Sequence, residues 1–310
     1  MKERFTVNEQ TTIIIKGLHK FYGKVHALRG VNLEVKQGEM YGFLGPNGAG
    51  KTTTIRCMLN LIRPQAGSIE ILGMDPQKQP VEVRSQIGYL PGELSLEANV
   101  KVLDVLRYFA DLRGNAVSWD YTRLLAKQLE LDLNMPVKNL SKGNKQKVGL
   151  VQALMPRAKI LLLDEPTAGL DPLMQQVVYK TLKEAQAQDI TIFFSSHIIS
   201  EVEAIADRVA IIRKGIITEE ISHSQLASMT MCKVKVRFRQ KIDTGSLVKL
   251  EGVSLVSKSN GLDITLKVEG DMDRLIKTLA KYPVSNIETL HPSLEEIFLA
   301  YYKNEKKEVC

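Results

Sequence analysis

No stretch of the chain approaches the ~18 uninterrupted apolar residues of a membrane-spanning helix. If the protein serves a membrane, a partner has to supply the span. The first twenty residues, MKERFTVNEQTTIIIKGLHK, lack the apolar centre and small-residue cleavage site of a signal peptide, so a cytosolic protein is expected. Cysteine is scarce. Cys57, Cys232 and Cys310 lie far apart and offer neither metal-ligand spacing nor a disulfide framework, which fits a reducing compartment. The net charge of +7 contains no basic block. A nucleic-acid footprint needs clustered Lys and Arg, so no nucleic-acid partner is expected. The excess reads as solvated surface, with attraction to an anionic inner leaflet as the weaker alternative. Internal repeats, heptad runs and Gly/Ser linkers are also absent. What is present is ordinary for a globular protein: 44% hydrophobic and 25% charged residues over 310 positions. That length predicts one large domain or two unequal ones with ample apolar surface for a core.

Short apolar runs alternate with helical patterns. TIIIKG (12–17), VNLEV (31–35), MYGFLG (40–45), SIEILG (68–73) and QIGYLP (86–91) read as strands, as do KILLLD (159–164), TIFFSS (191–196) and RVAIIR (208–213). The all-apolar ILLL and FFSS runs suggest strands buried on both faces of a parallel sheet. Helices are predicted from near Gly50 through TTTIRCMLNLI, over 102–113 and over 119–131. In the second, Leu103, Leu106, Phe109, Ala110 and Arg113 form an apolar stripe ending in a base. Strand–helix alternation implies an α/β fold, with residues from about 95 to 155 as an inserted helical lobe. After Glu220 the pattern changes. KVKVRFRQK (233–241) alternates with period two. LDITLKVEG, a helix DMDRLIKTLAKY capped by Asp271, a strand around SNIETL and a helix SLEEIFLAYY follow. This divides the chain into residues 1–222 and a small α+β module, 223–310.

Gly45-Pro46-Asn47-Gly48-Ala49-Gly50-Lys51-Thr52 has the spacing G-x-x-x-x-G-K-[ST], after a predicted strand and before a predicted helix. Glycines let the backbone wrap so that successive N–H groups face phosphate oxygens, and the helix aims its positive end at the same place. Lys51 is expected to neutralise β- and γ-phosphate charge, and the Thr52 hydroxyl to help hold Mg²⁺. Thr53 completes the candidate phosphate contacts. Leu161-Leu162-Leu163-Asp164-Glu165 is an apolar strand ending in two acids, delivered to the ligand crevice of a parallel sheet. Asp164 is placed to hold Mg²⁺, and Glu165 to orient an attacking water or accept its proton. A bare Asp-Glu turn before Pro166 is the plainer alternative.

Leu140-Ser141-Lys142-Gly143-Asn144-Lys145-Gln146 resembles the LSGGQ signature of ABC-type ATPases. Ala168-Gly169-Leu170-Asp171 resembles that family's D-loop, His197 its switch histidine, and Tyr22 the aromatic that stacks on adenine. The resemblance covers about the first 220 residues. It implies a P-loop NTPase of ABC type with a mostly parallel core sheet, a helical subdomain and a small C-terminal α+β domain. It also implies ATP hydrolysis with Mg²⁺ and a head-to-tail dimer with a second copy or a related subunit. Each ATP then lies between one subunit's phosphate loop and the other's Ser141, Gly143, Asn144 and Asp171, with a helix opening near Asn144. Glu165 orients the water and His197 contacts the γ-phosphate.

Two departures stand out. The family's Gln after the strand QIGYLP is replaced by Gly92, with Glu93 next. Glu93 is a candidate oxygen ligand in its stead; the alternative is a Pro91-Gly92 turn with Glu93 in solvent. In the signature, Lys142 replaces a Gly and Asn144 a Gln. Lys142 is expected to add positive charge near the partner's nucleotide. Pro91-Gly92-Glu93 and LEEIFLAYY (294–302) resemble the ABC-2-type exporters of drugs, antibiotics or ions, whose ATPase is a separate chain beside a six-helix permease. That resemblance implies a peripheral place on the inner face of the cell membrane. Rival readings are a soluble ABC protein of translation or repair, a different P-loop enzyme such as a kinase, and a catalytically silent subunit. The single phosphate loop, the signature and the intact acids argue against each in turn.

Overall fold

A computed structural model describes residues 11–114, 117–222, 231–242, 245–248, 250–259, 262–269 and 272–290. The chain divides into two compact units, Met1–Ile221 and Ser222–Cys310.

The first unit opens with an antiparallel pair, β1 (Thr11–Tyr22) and β2 (Val25–Lys36), followed by β3 (Met40–Leu44). Next come α1 (Lys51–Met58), β4 (Ala66–Ile71), α2 (Pro80–Ser85) and β5 (Ile87–Leu90). Three helices, α3 (Val102–Arg113), α4 (Trp119–Gln128) and α5 (Lys142–Leu154), form the helical stretch. Then β6 (Ile160–Asp164), α6 (Pro172–Gln186), β7 (Thr191–Ser196), α7 (Ile199–Ile205), β8 (Arg208–Arg213) and β9 (Ile216–Ser222) complete the unit.

The strands form two sheets. The larger runs β5-β6-β7-β3-β8-β9 and is parallel from β5 to β8. β9 turns back through Lys214 and Gly215, both at positive φ (49° and 80°), the pair of angles a type I′ hairpin requires. Every residue of β3, β6 and β7 is buried, as the continuous apolar runs predict. This confirms the P-loop type of α/β fold. The smaller sheet, β2-β1-β4, is antiparallel, so three strands read from sequence belong to a separate layer. β1 and β2 run twelve residues each, at least twice the predicted lengths, because register shifts around Gly17 interrupt the alternation without ending the ladder. Ile13, Ile15, Leu33 and Val35 from this sheet share one core with Tyr41, Phe43, Leu162 and Phe193 of the parallel sheet.

Several predicted bounds change. α1 stops at Met58 rather than continuing through Ile62. Asn60 takes φ 52°, Leu61 N–H donates to Arg56 C=O and Asn60 N–H to Cys57 C=O. That is a Schellman ending, with Asn supplying the left-handed residue. α4 likewise ends at Gln128, with Glu130 left-handed. In α3 the buried face is Val102, Val105, Leu106 and Ala110, while Leu103 and Phe109 are half-buried. The base that ends the stripe does work at a neighbouring terminus: Arg113 donates to the carbonyls of Arg84 and Ile87.

The second unit contains β10 (Met231–Phe238), α8 (Gly245–Val248), β11 (Val253–Ser259) and β12 (Asp263–Glu269). α9 (Asp273–Leu279) and β13 (Val284–Leu290) follow. The sheet order β11-β12-β10-β13 makes a βαββαβ, ferredoxin-like module. Its own core is Val234, Val236, Phe238, Ile264, Leu266, Val268, Leu275 and Leu279. α9 begins at Asp273 with Met272 at the cap position; the expected cap, Asp271, and the expected helix SLEEIFLAYY lie outside the described residues. No described helix is long and apolar enough to cross a membrane.

Candidate active site

The loop after β3 has to leave the sheet between its two neighbours. Gly45 N–H donates to Ser196 C=O at 3.1 Å, and a Cβ on Gly45 would lie 2.3 Å from the Ile212 carbonyl oxygen. Only glycine passes there. Ala49 is buried and donates its N–H to Pro46, closing the loop, and Gly50 (φ 117°) starts α1. Lys51, 6% exposed, turns back into the loop. Its ammonium donates to Gly45 C=O at 2.6 Å and Pro46 C=O at 3.3 Å, and lies 3.3 Å from Glu165 Oε1.

The parallel register sets Asp164 beside Ser195. Asp164, 1% exposed, accepts from Thr52 Oγ1 at 2.7 Å and from Ser195 Oγ at 2.5 Å. Burying that carboxylate is tolerated because both oxygens are engaged. Glu165 adopts φ 54°, a left-handed turn that costs about 1–2 kcal/mol for a residue with a side chain. The turn is held from three sides. Ser195 Oγ accepts from Glu165 N–H (3.1 Å), Gln146 Nε2 donates to its carbonyl (2.8 Å), and the carboxylate is gripped at both oxygens. Oε1 faces Lys51, and Oε2 meets His197 Nδ1 at 2.7 Å. Strain retained under this much support points to function. His197 is fixed in turn. Ser196 Oγ donates to buried Glu201 at 2.6 Å, and Thr167 also donates to Glu201, tying the loop after β7 to the loop after β6.

These groups open on one cavity of about 560 Å³, whose walls include Pro46, Asn47, Gly48, Gly50, Lys51, Thr52 and Thr53, with Asp164, Glu165 and His197 opposite. The volume suits a small-molecule ligand. Gly92 and Glu93 reach the same wall. A Cβ on Gly92 would lie 3.1 Å from Asp164 Oδ2, so the backbone approaches that carboxylate where a side chain would press on it. Glu93 is exposed to solvent yet borders the cavity, combining the two placements expected of it. Among the described residues no cluster of three His, Cys, Asp or Glu could hold a metal by itself. Thr52 and Asp164 supply hard oxygen donors only, a set that fits an ion taking its other ligands from water and phosphate.

Seven expected residues do not line this cavity: Gly45 and Ala49, which shape the loop from behind, and Tyr22, Ser141, Gly143, Asn144 and Asp171. Tyr22 ends β1, 45% exposed, with the Lys20 ammonium 5.3 Å from its ring centre. Ser141 caps α5, accepting from Asn144 N–H at 3.2 Å, so the helix opens at Lys142 rather than near Asn144. Gly143 lets α5 start against the next loop; a Cβ there would lie 2.7 Å from Gly169 C=O. Asp171 caps α6 through Met174 N–H. The sequence reading missed Ser195, Gln146, Thr167 and Glu201. Only Ser195 carried a signal: it ends a buried strand level with Asp164.

Residues 28–168 match the ABC transporter family. Over 224 residues the chain is 40% identical to the bacitracin transport ATP-binding protein BcrA of Bacillus licheniformis, covering 70% of this chain and 71% of that protein. It is 31% identical over 255 residues to the Nod factor export ATP-binding protein I of Cupriavidus pinatubonensis, 80% of this chain and 78% of that one. A solved dimeric ATP-binding cassette in a post-hydrolysis state, bound to ADP and Pi, matches with a TM-score of 0.61 at 25% identity, covering 68% of this chain and 98% of that chain. With this identity over more than two thirds of a relative, and with the phosphate loop, acid pair and histidine around one cavity, the chain belongs to the ABC transporter family as an ATP-binding subunit.

Proposed function

We propose that the chain hydrolyses ATP and powers a membrane exporter, two such domains closing head to tail around two nucleotides. The observation that carries this reading is Glu165, held between Lys51 and His197 in a cavity that also presents Thr52 and Asp164. The loop N–H groups from Gly45 to Thr53 and the Lys51 ammonium offset phosphate charge. Thr52 and Asp164 would hold Mg²⁺, which when bound spreads the charge of the β- and γ-phosphates.

Lys51 has a partner to exchange. An arriving γ-phosphate competes with Glu165 for the ammonium. Released at Oε1, the carboxylate remains aimed by His197 at Oε2 and can orient a water or take its proton. His197 then contacts the γ-phosphate and steadies that geometry. Tyr22 offers an exposed ring for adenine stacking.

The partner's signature segment closes the site in the dimer. Ser141 Oγ already accepts from Asn144 N–H, which leaves its hydroxyl proton for a phosphate across the interface. Gly143 brings backbone close, Asn144 retains its side-chain amide, and Asp171 lies at the following helix start. Loss of the γ-phosphate removes the shared attraction and lets the pair open. Support for the dimer comes from the related cassette solved as one.

Support for export comes from the relatives' stated roles in bacitracin transport and Nod factor export, and from Pro91-Gly92-Glu93. Two apolar clefts of about 380 and 250 Å³ share Phe109, with Tyr108 in the first and Pro91, Leu61 and Leu94 in the second. They suit an apolar permease segment, which supports a place for the chain at the inner membrane face. Glu93 is the candidate for the role Gln has in relatives.

Glu165→Gln tests the reading. The variant is expected to bind ATP, lose at least about a hundredfold in turnover and form a dimer with ATP and Mg²⁺. Unchanged hydrolysis removes Glu165 from its role.

A further inference from the structure

We propose that Glu201 is a positioning residue that sets the separation of Glu165 and His197, one carboxylate oxygen holding the loop of each. This deepens the hydrolysis reading and rests on it. Glu165 follows β6 and His197 follows β7, so neither residue sits inside a strand whose ladder would fix their 2.7 Å contact. Glu201, in the first turn of α7, reaches both loops. Thr167 Oγ1 donates to its Oε1, and Ser196 Oγ donates to its Oε2 at 2.6 Å.

Each hydroxyl anchors a turn that carries one member of the pair. Ser196 Oγ gives its proton to Glu201 and accepts Ile198 N–H at 2.9 Å, which closes a side-chain turn with His197 at its centre. On the other side, Ala168 N–H donates to Glu165 C=O at 3.1 Å, and Leu170 N–H to Thr167 C=O at 3.1 Å. Thr167 therefore belongs to the turn that keeps Glu165 at φ 54°. Two turns pinned to one carboxylate are pinned to each other.

The choice of an acid here needs a reason. Glu201 is 5% exposed and has no ion-pair partner among the described residues. A buried carboxylate without a cation is costly, and an apolar side chain would fill the space without that cost. What a carboxylate adds is an acceptor at both oxygens. Glutamine has the same shape but accepts at one end only. The hydroxyl that meets its amide nitrogen must turn its proton away, so one of the two turns loses its anchor.

The test compares Glu201→Gln, Thr167→Val and Thr167→Ser with the unaltered chain, by ATPase kinetics, ATP calorimetry and nitrogen NMR of the histidine rings. The His197 signals are assigned by their loss in His197→Gln. Glu201→Gln is expected to lower kcat about tenfold or more while ATP affinity stays within about threefold. The His197 ring nitrogens should move from one tautomer toward an average of two. Thr167→Val should act in the same way, with Thr167→Ser recovering most of the loss, and the double variant Thr167→Val/Glu201→Gln should lose less than the product of the single effects. Unchanged kcat and His197 signals in Glu201→Gln overturn the proposal. A lower unfolding temperature with unaltered His197 signals also overturns it, leaving Glu201 a purely structural part. If Glu201→Gln does not fold, the Thr167 pair decides by the same readouts. Glu165→Gln is the separate control: normal hydrolysis there removes the hydrolysis reading itself, whereas loss there with none in Glu201→Gln sinks only this proposal.

Discussion

Ser195 shows how much of the site rests on a residue that touches no nucleotide phosphate in the proposed mechanism. One hydroxyl donates to Asp164 and accepts from Glu165 N–H. Ser195→Ala leaves a buried carboxylate oxygen without its donor and the Glu165 amide with only the backbone carbonyl of residue 195, 3.2 Å away, a cost of about 1–3 kcal/mol. Steady-state ATPase assays should show turnover down about tenfold or more, and urea unfolding a lower midpoint. Cys57 behaves in the opposite way: it is buried and inert. Burial pushes its thiol up to about 11, so at pH 8 about one molecule in a thousand carries thiolate. The shift opposes ionisation in the folded state, and iodoacetamide followed by peptide mass mapping should mark Cys57 only after denaturation. Lys51, Thr52, Asp164 and Glu165 were legible in the sequence because their chemistry fixes their spacing. Ser195, Gln146 and Glu201 were not, because polar groups that support a site gain their meaning only from what lies beside them.

Packing between α5 and β5 depends on two glycines that make different demands. A Cβ at Gly88 would lie 2.1 Å from the Ala153 carbonyl oxygen, whereas one at Gly149 would lie 2.5 Å from a Leu90 methyl. A backbone carbonyl in a helix cannot step aside; the end of a leucine can. Gly88→Ala should cost about 2–3 kcal/mol and Gly149→Ala less than about 1 kcal/mol in denaturant titrations. Equal costs would show that the two elements shift as rigid bodies. Element type was readable wherever every residue of a strand is buried, as in β3, β6 and β7. β11 (VSLVSKS) went unread because nearly all of it is exposed at a sheet edge, where no face is selected for apolar residues. The end of α1 was missed because Asn60 and Leu61 continue the helical composition, and only their carbonyl partners show the chain turning.

The two units carry separate cores, one around Tyr41, Phe43 and Phe193 and one around Phe238 and Leu266. Separate cores predict two calorimetric transitions. ATP at a hundred times its dissociation constant should stabilise only the first unit, by about 2.7 kcal/mol. Phe238→Ala should lower only the other transition, by about 3–5 kcal/mol in stability. A single transition shifted by both treatments would mean that the chain unfolds as one cooperative body.

By itself, the sequence determined the phosphate loop, the acid pair and the alternation of strands and helices. These are local facts: a glycine spacing, an apolar run, a period of side chains along the chain. Tertiary structure alone decided that β1, β2 and β4 leave the parallel sheet for an antiparallel layer, and that the second unit closes as βαββαβ. It also decided that Glu165 takes a left-handed turn between Lys51 and His197, groups 114 and 32 residues away along the chain. Pairings across such separations are chosen by which surfaces can be buried together. No local pattern records that choice, because the conformational entropy of closing long loops is offset only once the whole core has formed.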